Sequence, residues 1–399
     1  MSDLPAVLGG TPIFSKKINI VRPVMPDISE IVTNLKEVLD TGMVTKGRYL
    51  AQFEDAIARH LGVRHAVAVS SCTSGLILTH KALGLTGEVI VPSFTFMATV
   101  SSLVWCGLRP VFADVDKDTT NLKPASAEAA ITSETAAILA VHNFGNPADI
   151  SALQSIANRH KIPLIFDAAH GFGALYRGEP IGAQGKANIF SLSPTKLLIS
   201  GEGGLVATND NNLAQMIRIG REYGNNGDYD SLFAGLNARL AEFNAILGLW
   251  SLSRLEEAAQ ARNATVSLYQ EMMGKLPGIG FQKIRPDDRC AFKDFSITVD
   301  SEVFGLSRDA LAEALIAENI DIRKYYDPPC HKQAAYKCYD NHSALPNTDW
   351  LASHSLSFPI WSNMDEKTAL GICEAVERIF EHRKAVMDNF KLRRESFSA

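Results

Sequence analysis

An α/β protein with a mainly parallel sheet, followed by a smaller α+β unit, is what this sequence predicts. Two observations carry the prediction. Between about residues 65 and 210, short runs of Val, Ile, Leu and Phe alternate with helical patterns. Near-continuous apolar runs of that kind mark strands covered on both faces. After Asp210 the alternation stops, and long helical stretches with a few strands take over. The change divides the 399 residues into a large domain, 1–255, and a small C-terminal domain, 256–399, with the boundary near 255–280.

The strands read in order as "HAVAVSS" (65–71), "EVIVPS" (88–93), "RPVFADVD" (109–116), "AAILAVHNF" (136–144), "IPLIFDAAH" (162–170) and a pair flanking Lys196. "TSGLILTHKALGL" (73–85) and "TFMATVSSLVWCGL" (95–108) read as crossover helices between them. "NLAQMIRIGREYG" (212–224) is helical, and a polar loop (225–235) follows it. A long helical stretch then runs from about Arg239 to Leu276, with Phe243, Ile246, Leu247 and Trp250 on one face. The small domain reads as strand 295–299, helix 307–319, strands 320–326 and 355–360, and a final helix over 365–390.

Composition narrows the partners. A net charge of −5 without a basic stripe speaks against nucleic acid. No segment approaches the roughly 20 apolar residues that span a bilayer. The N-terminus has no basic, apolar leader, so a cytoplasmic enzyme is expected. Six cysteines are scattered without a CxxC pair or zinc spacing, so no metal site is expected.

Ligands of an open parallel sheet bind beyond the carboxyl ends of its strands. Four such places carry polar or aromatic groups here. "SSCTSG" (70–75) ends a strand and opens a helix, so its backbone N–H groups and the Thr73 and Ser74 hydroxyls suit an anion, or simple N-capping. Phe96 lies at the next strand-to-helix turn, where its ring can stack on a flat ligand, although its spacing with Val100 and Leu103 also fits a core residue. Asp167 follows the apolar run "LIF", as a helix cap or as the partner of a protonated ring nitrogen, with His170 three residues on. In "SLSPTKLLISGEGG" (191–204) Lys196 stands alone among small and apolar residues, five after Ser191. Such a lysine either snorkels to water or is held for its nucleophilic nitrogen. In conjunction the four places supply an anion cradle, a flat-ring neighbour, a ring-nitrogen partner and a reactive amine.

These residues resemble the DegT/DnrJ/EryC1/StrS family of fold type I, pyridoxal phosphate-dependent nucleotide-sugar aminotransferases. The resemblance runs through 45–76, 91–116, "HNFGNPADI" (142–150), "FDAAHGFGALYRG" (166–178), 191–204, "GLNARLAEFNAILG" (235–248) and "IRKYYDPPCHKQAAY" (322–336). It implies that Lys196 carries the cofactor, Asp167 keeps the ring nitrogen protonated, Phe96 stacks on the ring and His170 flanks it. Thr73, Ser74 and Ser191 would bind the phosphate, Asn237 would reach that phosphate from the neighbouring subunit of a homodimer, and His331 would lie near the sugar. Three positions depart from the family pattern: Cys72 for Gly, Ser193 for His and Ala238 for Tyr.

The resemblance further implies transfer of an amino group from L-glutamate to a nucleoside-diphosphate-linked keto-deoxysugar, with a thymidine-diphosphate 4-keto-6-deoxyhexose favoured and amination at C3 or C4 left open. A deoxygenating dehydratase of the same fold carries histidine where this chain has Lys196. A non-catalytic, cofactor-binding regulator is the other alternative, but a complete set of catalytic groups speaks for an enzyme.

Overall fold

The computed structural model describes residues 4–340 and 344–398. In chain order the strands are β1 (His65–Val69), β2 (Glu88–Pro92), β3 (Arg109–Ala113), β4 (Thr135–Val141) and β5 (Leu164–Asp167). A short hairpin, β6 (Leu175–Tyr176) and β7 (Glu179–Pro180), precedes β8 (Ala187–Ser191) and β9 (Gly204–Thr208). The last three are β10 (Ile279–Phe281), β11 (Phe295–Val299) and β12 (Ser355–Phe358).

Seven of them form the main sheet in the order β1-β9-β8-β5-β4-β2-β3. β3, β2, β4, β5 and β8 are parallel neighbours, whereas β9 is antiparallel to both β8 and β1. β9 therefore runs against the rest. The strands of the expected α/β domain are all present.

The apolar runs have the two-sided burial they imply. In β1, Ala66 and Ala68 face one core while Val67 and Val69 face another. Ile138 and Phe166 join the first core, and Ile165, Ile189 and Val206 the second. Each strand thus buries both of its period-two faces between helical layers. A third core surrounds β11 and β12 of the three-stranded antiparallel sheet β10-β11-β12.

Local chemistry sets where helices begin. Ser71, at the end of β1, accepts from Ser74 N–H, and the Ser74 hydroxyl accepts from Ser71 N–H at 3.0 Å. This capping box turns the strand directly into the helix Cys72–Ala82. Asp149, Asp210, Ser307 and Asp365 start four later helices with the same kind of side-chain acceptor.

Four expectations change. The helical stretch over 239–276 is two helices, Glu242–Ser253 and Leu255–Met273, which meet at Arg254 (φ −107°, ψ 5°). The first packs on the helix Arg48–Leu61 and the second on Glu366–Glu381, so the break redirects the chain from one core to the other. The final helix likewise divides at His382 into Glu366–Glu381 and Arg383–Ser398. Residues 320–326 form no strand. They make only isolated bridges, Ile320 to Ile18 and Arg323 to Ser357, because the N-terminal segment occupies one side. That segment falls within the expected large domain, yet Val7, Leu8, Ile13 and Phe14 pack on the β11–β12 core. The buried Glu318 carboxylate accepts from Ala6 and Ile13 N–H and fixes it there. Among the described residues, no helix is long and apolar enough to cross a membrane.

Candidate active site

The carboxyl ends of β1, β2, β5 and β8 open on a cavity of about 350 Å³. Thr73, Phe96, Asp167, His170, Ser191 and Lys196 all line it. These residues are spread over more than a hundred positions of the chain; sheet order brings them to one place.

Asp167 closes β5 and is 4% exposed. Its Oδ2 accepts from the Thr99 hydroxyl at 2.7 Å, and its Oδ1 from Ala169 N–H at 3.1 Å and the Cys72 thiol at 3.8 Å. All three partners are neutral. Burial therefore pushes the carboxyl above its ordinary range, against the lowering effect of these hydrogen bonds. A carboxylate so placed calls for a cation from the ligand.

Lys196 sits in the loop between β8 and β9. Burial, and then the nearby Lys293 ammonium, lower its amine to about 8. Arg262, 3% exposed, donates to the Lys196 carbonyl at 3.3 Å, to the Phe292 carbonyl at 3.1 Å and to Ser362 Oγ at 3.0 Å. One guanidinium thus ties the lysine loop to the small unit.

His170 accepts at Nδ1 from Phe144 N–H at 3.3 Å, which leaves its proton on Nε2. Burial holds it well below its ordinary value, so the ring is neutral. Phe144 has a left-handed backbone (φ 58°), and its carbonyl accepts from Lys293 N–H at 3.0 Å. Phe96 is 48% exposed as the N-cap of the helix Met97–Trp105. The core role its spacing allowed is therefore not the one it has. Gly204 lets β9 approach the Ser71–Cys72 turn, where a Cβ would lie 2.4 Å from the Ser71 carbonyl carbon.

Three predicted residues lie elsewhere. The Ser74 hydroxyl is occupied in the capping box, donating to Ser71 O at 2.8 Å. Asn237 is exposed and bridges Glu222, away from this chain's own cavity. His331 is buried, held by the Ser93 hydroxyl at Nδ1 (2.7 Å) with Nε2 3.5 Å from Asp349. It is not among the residues lining the cavity.

Four further lining residues do not stand out in the sequence. Lys293, Asp294, Tyr325 and Tyr326 close the cavity from the small unit. Tyr326 stacks on Phe144 (centroids 5.6 Å) and meets Phe94 edge-on (5.3 Å), which joins the two units beside the site. The adjacent tyrosines in "RKYYDPP" are the one legible hint.

A family model described as the DegT/DnrJ/EryC1/StrS aminotransferase family matches residues 26–377. The chain belongs to that family. Similar solved structures include DesI, crystallised in the presence of its TDP-sugar product, with 35% identity, coverage of 99% of both chains and a TM-score of 0.90. DesV of S. venezuelae, in complex with a ketimine intermediate, shares 33% identity over 92% of this chain and 99% of its own (TM-score 0.85). A family aminotransferase from Brucella abortus shares 31% over 88% and 96% (TM-score 0.82). The protein is a pyridoxal phosphate-dependent aminotransferase with the fold type I architecture.

The residues present fit that cofactor. An acid whose hydrogen-bond partners are all neutral, an amine lowered toward neutrality and a helix N-terminus bearing Thr73 lie around one cavity. These are the groups needed by a protonated pyridine, an aldehyde carbon and a phosphate.

Proposed function

We propose that this aminotransferase moves the amino group of L-glutamate onto a thymidine-diphosphate-linked 4-keto-6-deoxyhexose. The observation that carries the reading is the pairing of Lys196 and Asp167 in one cavity, the amine lowered to about 8 and the carboxylate hydrogen-bonded to neutral groups alone. The sugar class follows the similarity to DesI, which was crystallised with its TDP-sugar product. A lysine at 196, rather than a histidine, supports transamination over deoxygenation.

Bound pyridoxal phosphate supplies an electron-accepting ring next to the carbon whose proton is moved. Lys196 would hold it, and its amine, lowered to about 8, would carry that proton. Asp167 keeps the ring nitrogen protonated. Phe96 would cover the ring and the neutral His170 would flank it, with Nε2–H as donor. Thr73 and Ser191 hold the phosphate, and Ser74 contributes by shaping the turn that presents Thr73. Asn237 reaches the phosphate of a neighbouring subunit in a homodimer, in keeping with its exposed position here. His331 serves the sugar from outside the cavity, where Ser93 fixes its ring.

Borohydride reduction of the yellow holoenzyme, followed by peptide mapping, tests the lysine, and labelling at any other residue rejects it. Incubation with glutamate and a panel of ketosugar nucleotides tests the reaction. No amination of any thymidine-linked ketosugar overturns the substrate reading.

A further inference from the structure

The cavity holds a second lysine. Lys293 is 10% exposed at its side chain and lines the same cavity as Lys196, although it comes from the small unit, two residues before β11. A buried ammonium has a desolvation cost, so one held there implies an anion to meet. Asp294 meets it in part, with Oδ1 2.6 Å from Lys293 Nζ, and the Tyr325 ring centroid lies 5.7 Å away. An ammonium has three donors, and Asp294 takes one. Asp294 is itself 5% exposed, with its second oxygen buried and unpartnered. Lys293 is also near enough to lower both Lys196 and His170, which places its charge at the reacting end of the cavity.

We propose that Lys293 docks the α-carboxylate of the amino-acid donor. The inference rests on the proposed transamination and concerns one half of it. In an α-amino acid the carboxylate is bonded to the carbon that bears the reacting nitrogen, so its cation must lie close to Lys196. A sugar nucleotide has its diphosphate on C1, separated from a C3 or C4 carbonyl by the sugar ring. Its anion therefore falls farther from the amine. A single cation set beside the reacting nitrogen suits the first geometry. Lys293 is a binding residue for the donor, and Asp294 holds it in place between donors.

The two half-reactions separate this role from a structural one. Wild-type holoenzyme and Lys293→Met are titrated with L-glutamate, and separately with a thymidine-diphosphate-linked 4-amino-4,6-dideoxyhexose, by the change in cofactor absorbance. Losing a charge-assisted hydrogen bond should raise the half-saturating glutamate concentration roughly tenfold to a hundredfold. The aminosugar titration should move by less than about threefold, because that substrate brings no α-carboxylate. Lys293→Arg should recover part of the glutamate affinity. Asp294→Asn keeps the ammonium and removes its resident anion, so it should tighten glutamate, a change of opposite sign that misfolding does not produce. Equal losses on both sides, or a loss on the sugar side alone, overturn the proposal. If wild-type enzyme accepts no aminosugar nucleotide, the substrate reading fails, while the glutamate titrations and the Asp294→Asn sign still decide Lys293. If glutamate is not the donor, the same comparison is made with the amino acid that reacts.

Discussion

The cavity has two walls of different origin. On the large-sheet side, Thr73, Phe96, Asp167, Ser191 and Lys196 stand at or just beyond the ends of β1, β2, β5 and β8. On the other side Lys293 and Asp294 precede β11, while Tyr325 and Tyr326 lie in a stretch that forms no strand. The first wall is built by a regular rule, in which strands of the main sheet deliver side chains from their carboxyl ends to the same edge. The second is placed by long-range contacts, among them the Phe94–Phe144–Tyr326 aromatic group and the Cys330 N–H bond to Ser93 O at 3.0 Å. The proposed roles divide along the same line, with chemistry on the sheet edge and donor binding on the small unit.

The strongest way to break that division is to exchange its two lysines for uncharged residues. Lys196→Ala should lower transamination by about 10⁴-fold or more, the upper range for removal of a proton-transfer group. Lys293→Met should act mainly on donor affinity and leave saturated turnover within about tenfold. Steady-state kinetics at saturating substrates decide, and comparable losses in kcat would dissolve the distinction.

Asp167 tests the sheet edge further. Asp167→Asn removes the charge opposite the ring nitrogen and should cost about 10²- to 10³-fold in turnover, with the fold retained. Thr99→Val removes the 2.7 Å hydrogen bond to Asp167 Oδ2, along with the 2.9 Å bond to the Thr95 hydroxyl, and should cost roughly tenfold. An unchanged Asp167→Asn rate would return the carboxylate to a capping role.

How much was legible follows the same line. An apolar run that stops abruptly at a polar residue announces a strand end, so Asp167 and Lys196 could be singled out, and two-sided burial was visible in the Val- and Ile-rich runs. Thr99 carries no such sign, because its role exists only through the approach of Met97–Trp105 to the end of β5. Ser74 has the right composition for a phosphate ligand, yet the capping box occupies its hydroxyl. The sequence of 320–326 reads as a strand, but its backbone partners are Ile18, some 300 positions earlier, and Ser357, which local pattern does not reveal. Arg262 looks like one more charge on a long helix, and only the meeting of two cores buries it.

A third wall would come from a second subunit, and Asn237 tests for it. Asn237→Ala should weaken cofactor binding by roughly tenfold to a hundredfold, the range for one hydrogen bond to a charged group. Lys196→Ala and Asn237→Ala homodimers are each impaired at limiting cofactor. Mixed dimers then place both defects in one site and leave the other intact, so activity should return to near half the wild-type level per heterodimer. No recovery on mixing would put Asn237 in its own subunit's site, or in neither.

The smallest expected effect links the two walls through charge. Burial and the Lys293 ammonium both lower Lys196, to about 8. Only the neutral amine reacts with an acylating reagent, so in the cofactor-free protein the labelling rate of Lys196 should rise with pH and level off above about 8. Removing the Lys293 charge removes a repulsion that disfavours protonated Lys196, and the midpoint should move up toward the ordinary lysine value of about 10.4. At neutral pH the reactive fraction then falls, by about tenfold for every pH unit the midpoint rises. Asp294→Asn takes away a charge that favours the protonated amine and should move the midpoint down. Quantitative mass spectrometry of the Lys196 peptide from about pH 6 to about pH 11 reads both variants, a range that brackets both midpoints. Opposite movements would show that the small unit tunes the sheet-edge amine. Coincident midpoints would leave Lys293 facing the donor alone, with burial by itself setting the amine.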